Sequence, residues 1–260
     1  MTGEPVVLVE SQGGVRILTI NRPEKRNALN AEVRARLSEE VDRAVADPDS
    51  RVLVFTGAGD KAFVAGADVA EFAGRSPLDQ RRAMDSPTVF DRIWESPLPT
   101  IAMINGWCLG GGCELALACD VRVGADTATL GQPEVRLGII PGGGATQRLP
   151  RLIGYGKALQ LILSGETLDG VSAYEIGLLD EVVPAGELRE RTLEIAQSMA
   201  DKSPVTLAIA KRAVRAAFEL PLSAGLHQER DLFALAFATE DKAEGVAAFL
   251  EKRKPEWRGR

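Results

Sequence analysis

Histidine is nearly missing from this chain: His227 is the single one in 260 residues. A Ser-His-Asp relay has little room, and no GxSxG nucleophile turn is present. His227 stands at helical spacing among apolar residues and reads as structural. Cysteine is scarce as well. Cys108, Cys113 and Cys119 form no CxxC pair and lie far from His227, so buried free thiols are expected rather than a metal centre. Positive charge is not in excess: 31 Lys and Arg against 37 Asp and Glu leave a net charge of −6. That balance argues against general nucleic-acid binding and leaves any anionic ligand to local cations. No apolar run is long enough to span a membrane, and Met1–Pro5 lacks the basic-then-apolar pattern of a secretion signal. A cytoplasmic protein with no membrane partner is the expectation. Aromatic residues make up only 5% of the chain, and Trp94, Trp107 and Trp257 read as packing residues.

Glycine, by contrast, is plentiful, and its 26 residues cluster around two glutamates. Glu114 lies in Gly110-Gly111-Gly112-Cys113-Glu114, and Glu134 in Gly131-Gln132-Pro133-Glu134, just before Leu137–Gly144. A carboxylate can act as general acid or base, and a backbone N–H at a glycine-opened helix start can stabilise a developing oxyanion. A further turn, Ala62–Val69, can supply a second N–H at Ala67. The combination points to acid–base chemistry beside a carbonyl. Phosphate loops do not fit: GxGxxG fails at Leu115, and GxxxxGK[ST] fails because Arg151 stands where its first glycine belongs.

Each feature also has a plainer reading. Gly110–Gly112 can simply permit close helix packing. Glu114 can be a first-turn residue favoured by the helix dipole, and Glu134 a turn residue after Pro133. Ala67 can contribute only its backbone. The basic clusters Lys25-Arg26 and Lys252-Arg253-Lys254 suit phosphates or a solvated surface equally well.

Length favours one α/β domain with a helical appendage. Val6–Val9 and Val15–Asn21 read as a hairpin around Gly13-Gly14. Asn30 caps a helix over Ala31–Ala46 with Val33, Leu37, Val41 and Val45 on one face. Val52–Thr56 and Thr100–Ile104 are buried strands, each leading to a glycine turn and a helix. Asp120–Gly124 and Thr129–Gly131 read as further strands. Asp68 and Glu71 have capping-box spacing, which predicts a helix from Val69 and puts the Ala67 N–H at its start. The polar segment from Gly74 to Ile93 is expected to be a loop that shapes a substrate pocket. Beyond Gly142 strand signals nearly vanish. Helices are predicted at Ala145–Leu152, Tyr155–Leu163, Glu187–Ala200, Val205–Phe218, Leu222–Phe237 and Asp241–Lys252. The expected division is a core over 1–200 and a helical part over 201–260.

Taken in order, these segments resemble the enoyl-CoA hydratase/isomerase (crotonase) superfamily over nearly the whole chain. The resemblance runs through Leu18–Pro23, Asn27–Asn30, Phe63–Asp68, Ile104–Gly106, Gly110–Glu114, Gly131–Glu134, Leu137–Leu149, Ala173–Val183 and Phe249–Lys254. It implies a ββα-spiral core, a helical C-terminal trimerisation region, and a homotrimer or homohexamer. It implies acyl thioesters of coenzyme A as substrates, with no separate cofactor. By motif position Ala67 and Gly111 would be the oxyanion-hole donors. Lys25, Arg26, Ala28, Ala65, Asp68, Val69 and Pro133 would border the CoA thioester, with Phe249 and Lys252 reaching CoA bound to a neighbouring subunit. Two glutamates at these positions go with hydration: Glu114 would activate water and Glu134 protonate the α-carbon, with swapped or shared roles open. The implied reaction is reversible syn addition of water to a trans-2-enoyl-CoA, as in fatty-acid β-oxidation. The alternatives are an isomerase or specialised dehydratase of the same superfamily, or a non-catalytic acyl-CoA-binding protein. One departure is Ala70, where many hydratases carry a lysine near the CoA adenine.

Overall fold

The computed structural model describes residues 4–84 and 87–260. Met1–Gly3, part of the segment read for a targeting signal, and Asp85 and Ser86 of the expected pocket loop lie outside them. Gly13 and Gly14, with φ of 58° and 84°, close the two-residue turn between β1 (Val7–Gln12) and β2 (Val15–Ile20). Positive φ at both positions gives the turn whose twist matches a hairpin.

Past the hairpin the apolar runs pair in parallel. β2 lies beside β3 (Val52–Gly57), then come β5 (Thr100–Ile104), β7 (Val121–Ala125) and β10 (Glu181–Val183). β3 and β5 are buried along their whole length, as strands covered on both faces must be. A second sheet is made from three-residue strands: β4 (Ala62–Val64), β6 (Trp107–Leu109), β8 (Thr129–Gly131) and β9 (Thr167–Asp169). Each of β3, β5 and β7 is followed within a few residues by a strand of the second sheet, and then by helix. This repeated strand-strand-helix unit is the expected ββα spiral.

The first helix, α1 (Ala31–Ala46), starts as expected: the Asn30 side chain accepts from the Val33 N–H at 2.9 Å. Its buried face is Val33, Leu37, Val41 and Ala44, with Val45 turned outward. At 3.6 residues per turn, Val45 lies about 120° around the helix from Val33, whereas Ala44 lies within about 20° of it. After β4 the chain forms a four-residue 3-10 turn, Val69–Phe72, then α2 (Pro77–Arg82) and α3 (Val89–Glu95). The segment expected to be a loop therefore carries two short helices.

The expected capping box at Asp68 is not formed. The Asp68 carboxylate accepts from Arg22 at 3.2 Å, and Glu71 accepts from the Ala31 N–H and from Arg34 instead. Long-range cations outcompeted the local spacing. After β6 comes α4 (Gly111–Ala118); after β8 come a 3-10 turn over Pro133–Leu137, α5 (Ala145–Ile153) and α6 (Tyr155–Ser164). Both β9 and β10, with α7 (Gly170–Glu175) between them, lie beyond the point where strand signals fade. α8 (Leu188–Ala200) packs on the large sheet. The remaining helices are α9 (Pro204–Glu219), α10 (Leu222–Ala236) and α11 (Glu240–Glu251). Among the described residues no helix is long and apolar enough to cross a membrane. The three cysteines are buried and unpaired, as read from sequence.

Candidate active site

The three glycines before Glu114 each answer a different constraint. Gly110 has φ 50° and ψ −120°, and a Cβ there would stand 2.8 Å from Glu134 Oε1. A Cβ on Gly111 would stand 3.3 Å from the Ala67 nitrogen, whereas one on Gly112 would overlap the Val64 carbonyl oxygen. The packing reading is thus right for Gly112. The other two positions bring Glu134 and Ala67 up to the start of α4.

Two N–H groups converge there. Gly111 is the first residue of α4, so its N–H has no acceptor within the helix and sits at the positive end of the dipole. Ala67 forms an isolated parallel bridge with Leu29: the Leu29 N–H donates to Gly66 O at 2.9 Å and the Asp68 N–H to Leu29 O at 3.0 Å. That pattern leaves the Ala67 N–H unused. Ala67 is therefore placed by strand-like pairing rather than at a helix start as expected. Among the described residues no acceptor takes either N–H.

Glu114 is 4% exposed. Its Oε1 accepts from the N–H of Gly143 at 2.6 Å and of Ala145 at 3.1 Å. Burial pushes its carboxyl above the usual range. The two N–H bonds and the Arg148 charge oppose this without cancelling it. Glu134 stands in the first turn after Pro133. Burial raises it too, its own backbone N–H opposes, and the Glu114 charge adds to the rise; the carboxyl is pushed up to about 7. With its amide oriented to donate, Gln132 reaches both Glu134 oxygens at 3.1 Å. Another buried carboxylate, Glu40, shows how unusual this pair is. Burial raises Glu40 as well, but Arg16, Arg36 and Arg43 surround it and bring it below the usual range. Glu40 is an ion-pair hub of α1; among the described residues neither Glu114 nor Glu134 has an ion-pair partner.

The expected substrate rim is partly assembled. Asn27, at φ 58°, donates to Ala58 O and Ala62 O, and the Ala65 N–H donates to Arg26 O at 3.1 Å. These bonds lay Lys25, Arg26 and Ala28 alongside Ala65–Val69. Arg26 stacks 4.2 Å above the Trp107 ring, so that indole has a partner beyond core packing. Asp68 is held by Arg22 and clasps the rim rather than facing a ligand freely. Phe249 projects from α11 and is 82% exposed, and Lys252 caps the end of that helix. Among the described residues no hydrogen bond or ion pair joins α11 to the rim. His227 is exposed on α10 and takes no part.

Three contributors escaped the sequence reading: Gln132, the N–H groups of Gly143 and Ala145, and Arg148, which donates to Gly143 O at 2.9 Å. The glycines of Gly142–Gly144 were the available signal. What they approach is set by the fold.

The profile of the enoyl-CoA hydratase/isomerase family matches residues 10–260. The chain belongs to the enoyl-CoA hydratase/isomerase family. Its relatives in this family include a probable enoyl-CoA hydratase of Mycobacterium tuberculosis, 45% identical over 251 residues that cover 96% of this chain and 97% of the relative. The 2,3-dehydroadipyl-CoA hydratase of Escherichia coli is 44% identical over 257 residues, covering 98% and 99%. The crystal structure of an enoyl-CoA hydratase from Bacillus anthracis matches with a TM-score of 0.93 at 39% identity, covering 98% of this chain and all of that one. The family resemblance read from the motifs is borne out, and with it the crotonase-type fold.

Proposed function

We propose that this chain is an enoyl-CoA hydratase that adds water reversibly to trans-2-enoyl-CoA to give 3-hydroxyacyl-CoA. The observation that carries the reading is a pair of carboxylates, Glu114 buried and Glu134 half-buried, both with raised pKa, beside two N–H groups that no acceptor takes among the described residues. The thioester oxygen accepts from Ala67 and Gly111. Glu114 takes a proton from water as its oxygen bonds to C3; the alkene electrons move toward the thioester oxygen, and Glu134 delivers its proton to C2. Addition of water is redox-neutral, so CoA enters only as part of the substrate. The N–H pair is worth about 3–4 kcal/mol per donor in reactions of this type.

Lys25, Arg26, Ala28, Ala65, Asp68, Val69 and Pro133 border the CoA thioester in this reading. Phe249 and Lys252 belong to the site of a neighbouring subunit. The helices of 201–260 support a trimer or a hexamer built from two trimers: Leu222, Phe233 and Phe249 are 79%, 66% and 82% exposed, an apolar surface that asks for a cover. A cytoplasmic location and a place in fatty-acid metabolism accompany this reading.

Product analysis tests it. Trans-2-hexenoyl-CoA should yield a product heavier by one water, carrying the hydroxyl on C3. A product of unchanged mass with a shifted double bond would make the chain an isomerase instead.

A further inference from the structure

A cavity of about 840 Å³ lies between α3, α5 and α9, and the Gly142–Gly144 loop forms part of its wall. That same loop donates to Glu114, so the cavity starts one residue away from that carboxylate. Leu117, also on the wall, lies three residues beyond Glu114 on α4, about 4.5 Å along the axis. A chain leaving C3 and passing Glu114 is thereby led into it. Much of the lining, including Leu152, Leu207, Val214 and Phe218, suits methylene groups.

Three cations on the same wall do not suit methylenes. Arg148 and Arg215 both stack on Trp94, at 5.0 and 4.6 Å from the ring centroid. Lys211 and Arg215 share one carboxylate, Asp120, at 2.5 and 3.1 Å. Asp120 also accepts from the Thr100 N–H and hydroxyl, so it has little capacity left. Among the described residues no carboxylate lies within ion-pair distance of Arg148, and the Nε of Arg215 is buried without any partner. The other charges on the wall are occupied or peripheral: Arg122 pairs with Asp180 at 2.6 Å, Asp91 caps α3 through Thr88, Arg151 donates to Gln147 O, and Glu219 is exposed. Of the three cations, Lys211 and Arg215 thus share one carboxylate, Lys211 donating also to Leu98 O at 2.6 Å, while Arg148 donates to Gly143 O and feels the Asp91 charge without pairing with it. A purely hydrocarbon chain would strip water from these guanidinium groups and return nothing. A carboxylate would satisfy them, and Arg offers a fork that matches it.

We propose that this cavity receives a carboxylate at the far end of the acyl chain, held by Arg215 with Arg148 and Lys211, so that the preferred substrates are ω-carboxy-2-enoyl-CoA thioesters. The proposal rests on the hydratase reading and sharpens its substrate class.

The test compares matched substrates with and without the terminal carboxylate, at chain lengths of six, eight and ten carbons. Turnover is measured on the trans-2-enoyl pairs, and binding of the saturated pairs, such as adipyl-CoA against hexanoyl-CoA, is measured by calorimetry. The expected result is a preference for the carboxylate of tenfold or more in kcat/KM and Kd at one length or more, the range of a charged hydrogen-bonded contact (roughly 10- to 100-fold). In Arg215→Gln that ratio should fall to about threefold or less. Equal affinity and equal kcat/KM within every wild-type pair would overturn the carboxylate proposal and leave hydration standing. A carboxylate preference that survives Arg215→Gln unchanged would overturn the assignment to this cavity. If no enoyl thioester is hydrated, the hydratase reading fails, and calorimetry still decides whether the carboxylate is bound.

Discussion

Glu114 and Gly143 are joined by a 2.6 Å bond from the Gly143 N–H to Glu114 Oε1, which fixes one carboxylate oxygen and leaves Oε2 for chemistry. A Cβ on Gly143 would stand 2.7 Å from that Oε2 and 2.6 Å from Phe90 Cε2. Gly143→Ala should therefore push the carboxylate off its position. We expect kcat to fall by about 10- to 100-fold, the scale of a misplaced catalytic group, with the circular-dichroism spectrum retained. Unchanged kcat would mean that the Oε2 position does not matter.

Hydration needs Glu114 ionised and Glu134 protonated, so the pair must carry one proton. Glu134, pushed up to about 7, surrenders that proton as the pH rises. The kcat/KM for crotonyl-CoA should fall above about pH 7 with a slope approaching tenfold per unit. It should fall again on the acid side, where Glu114, itself raised, takes up a proton. The two limbs belong to the coupled pair rather than to either residue alone. A profile flat from pH 6 to 9 would contradict the role of Glu134 as acid.

The same shift has a stability consequence. A carboxyl whose folded pKa lies above its unfolded value binds more protons when folded, so stability declines as pH rises through that window. For Glu134 the window runs from 4.5 to about 7. Glu134→Gln removes the penalty. Its Tm should exceed that of the wild type above pH 7, and the gap should close as the pH falls to 4.5. Activity would be lost while stability is gained, as is common at strained sites.

Gly112 is needed by the fold itself. A Cβ there would overlap the Val64 carbonyl oxygen, and both residues are buried. Gly112→Ala should destabilise the protein by about 3 kcal/mol, the upper end for overpacking a core, read as a lower urea midpoint. A midpoint equal to wild type would show that α4 can slide without cost.

How much of this was legible in the sequence depended on range. Asn30 and a regular apolar period fixed α1 to the residue, and the unbroken apolar runs marked β3 and β5. β4, β6 and β9 have three residues each, too few to display a period, so of the second sheet only β8 was legible. Asp68 and Glu71 have capping-box spacing, yet Arg22 and Arg34, some 37 to 46 residues away, hold them. Glu114, Glu134 and Gly111 were legible as candidates because a carboxylate beside glycines is chemically odd. Their shared site was not, because Gly143 meets Glu114 only through the fold.

The most direct test of the account is the loss of conjugated enoyl-thioester absorbance when crotonyl-CoA is mixed with the wild type, Glu114→Gln and Glu134→Gln. The wild type should bleach the signal, and each variant should be slower by about 10²- to 10⁴-fold, the usual worth of a positioned acid or base. Either variant working at the wild-type rate would contradict the two-carboxylate mechanism.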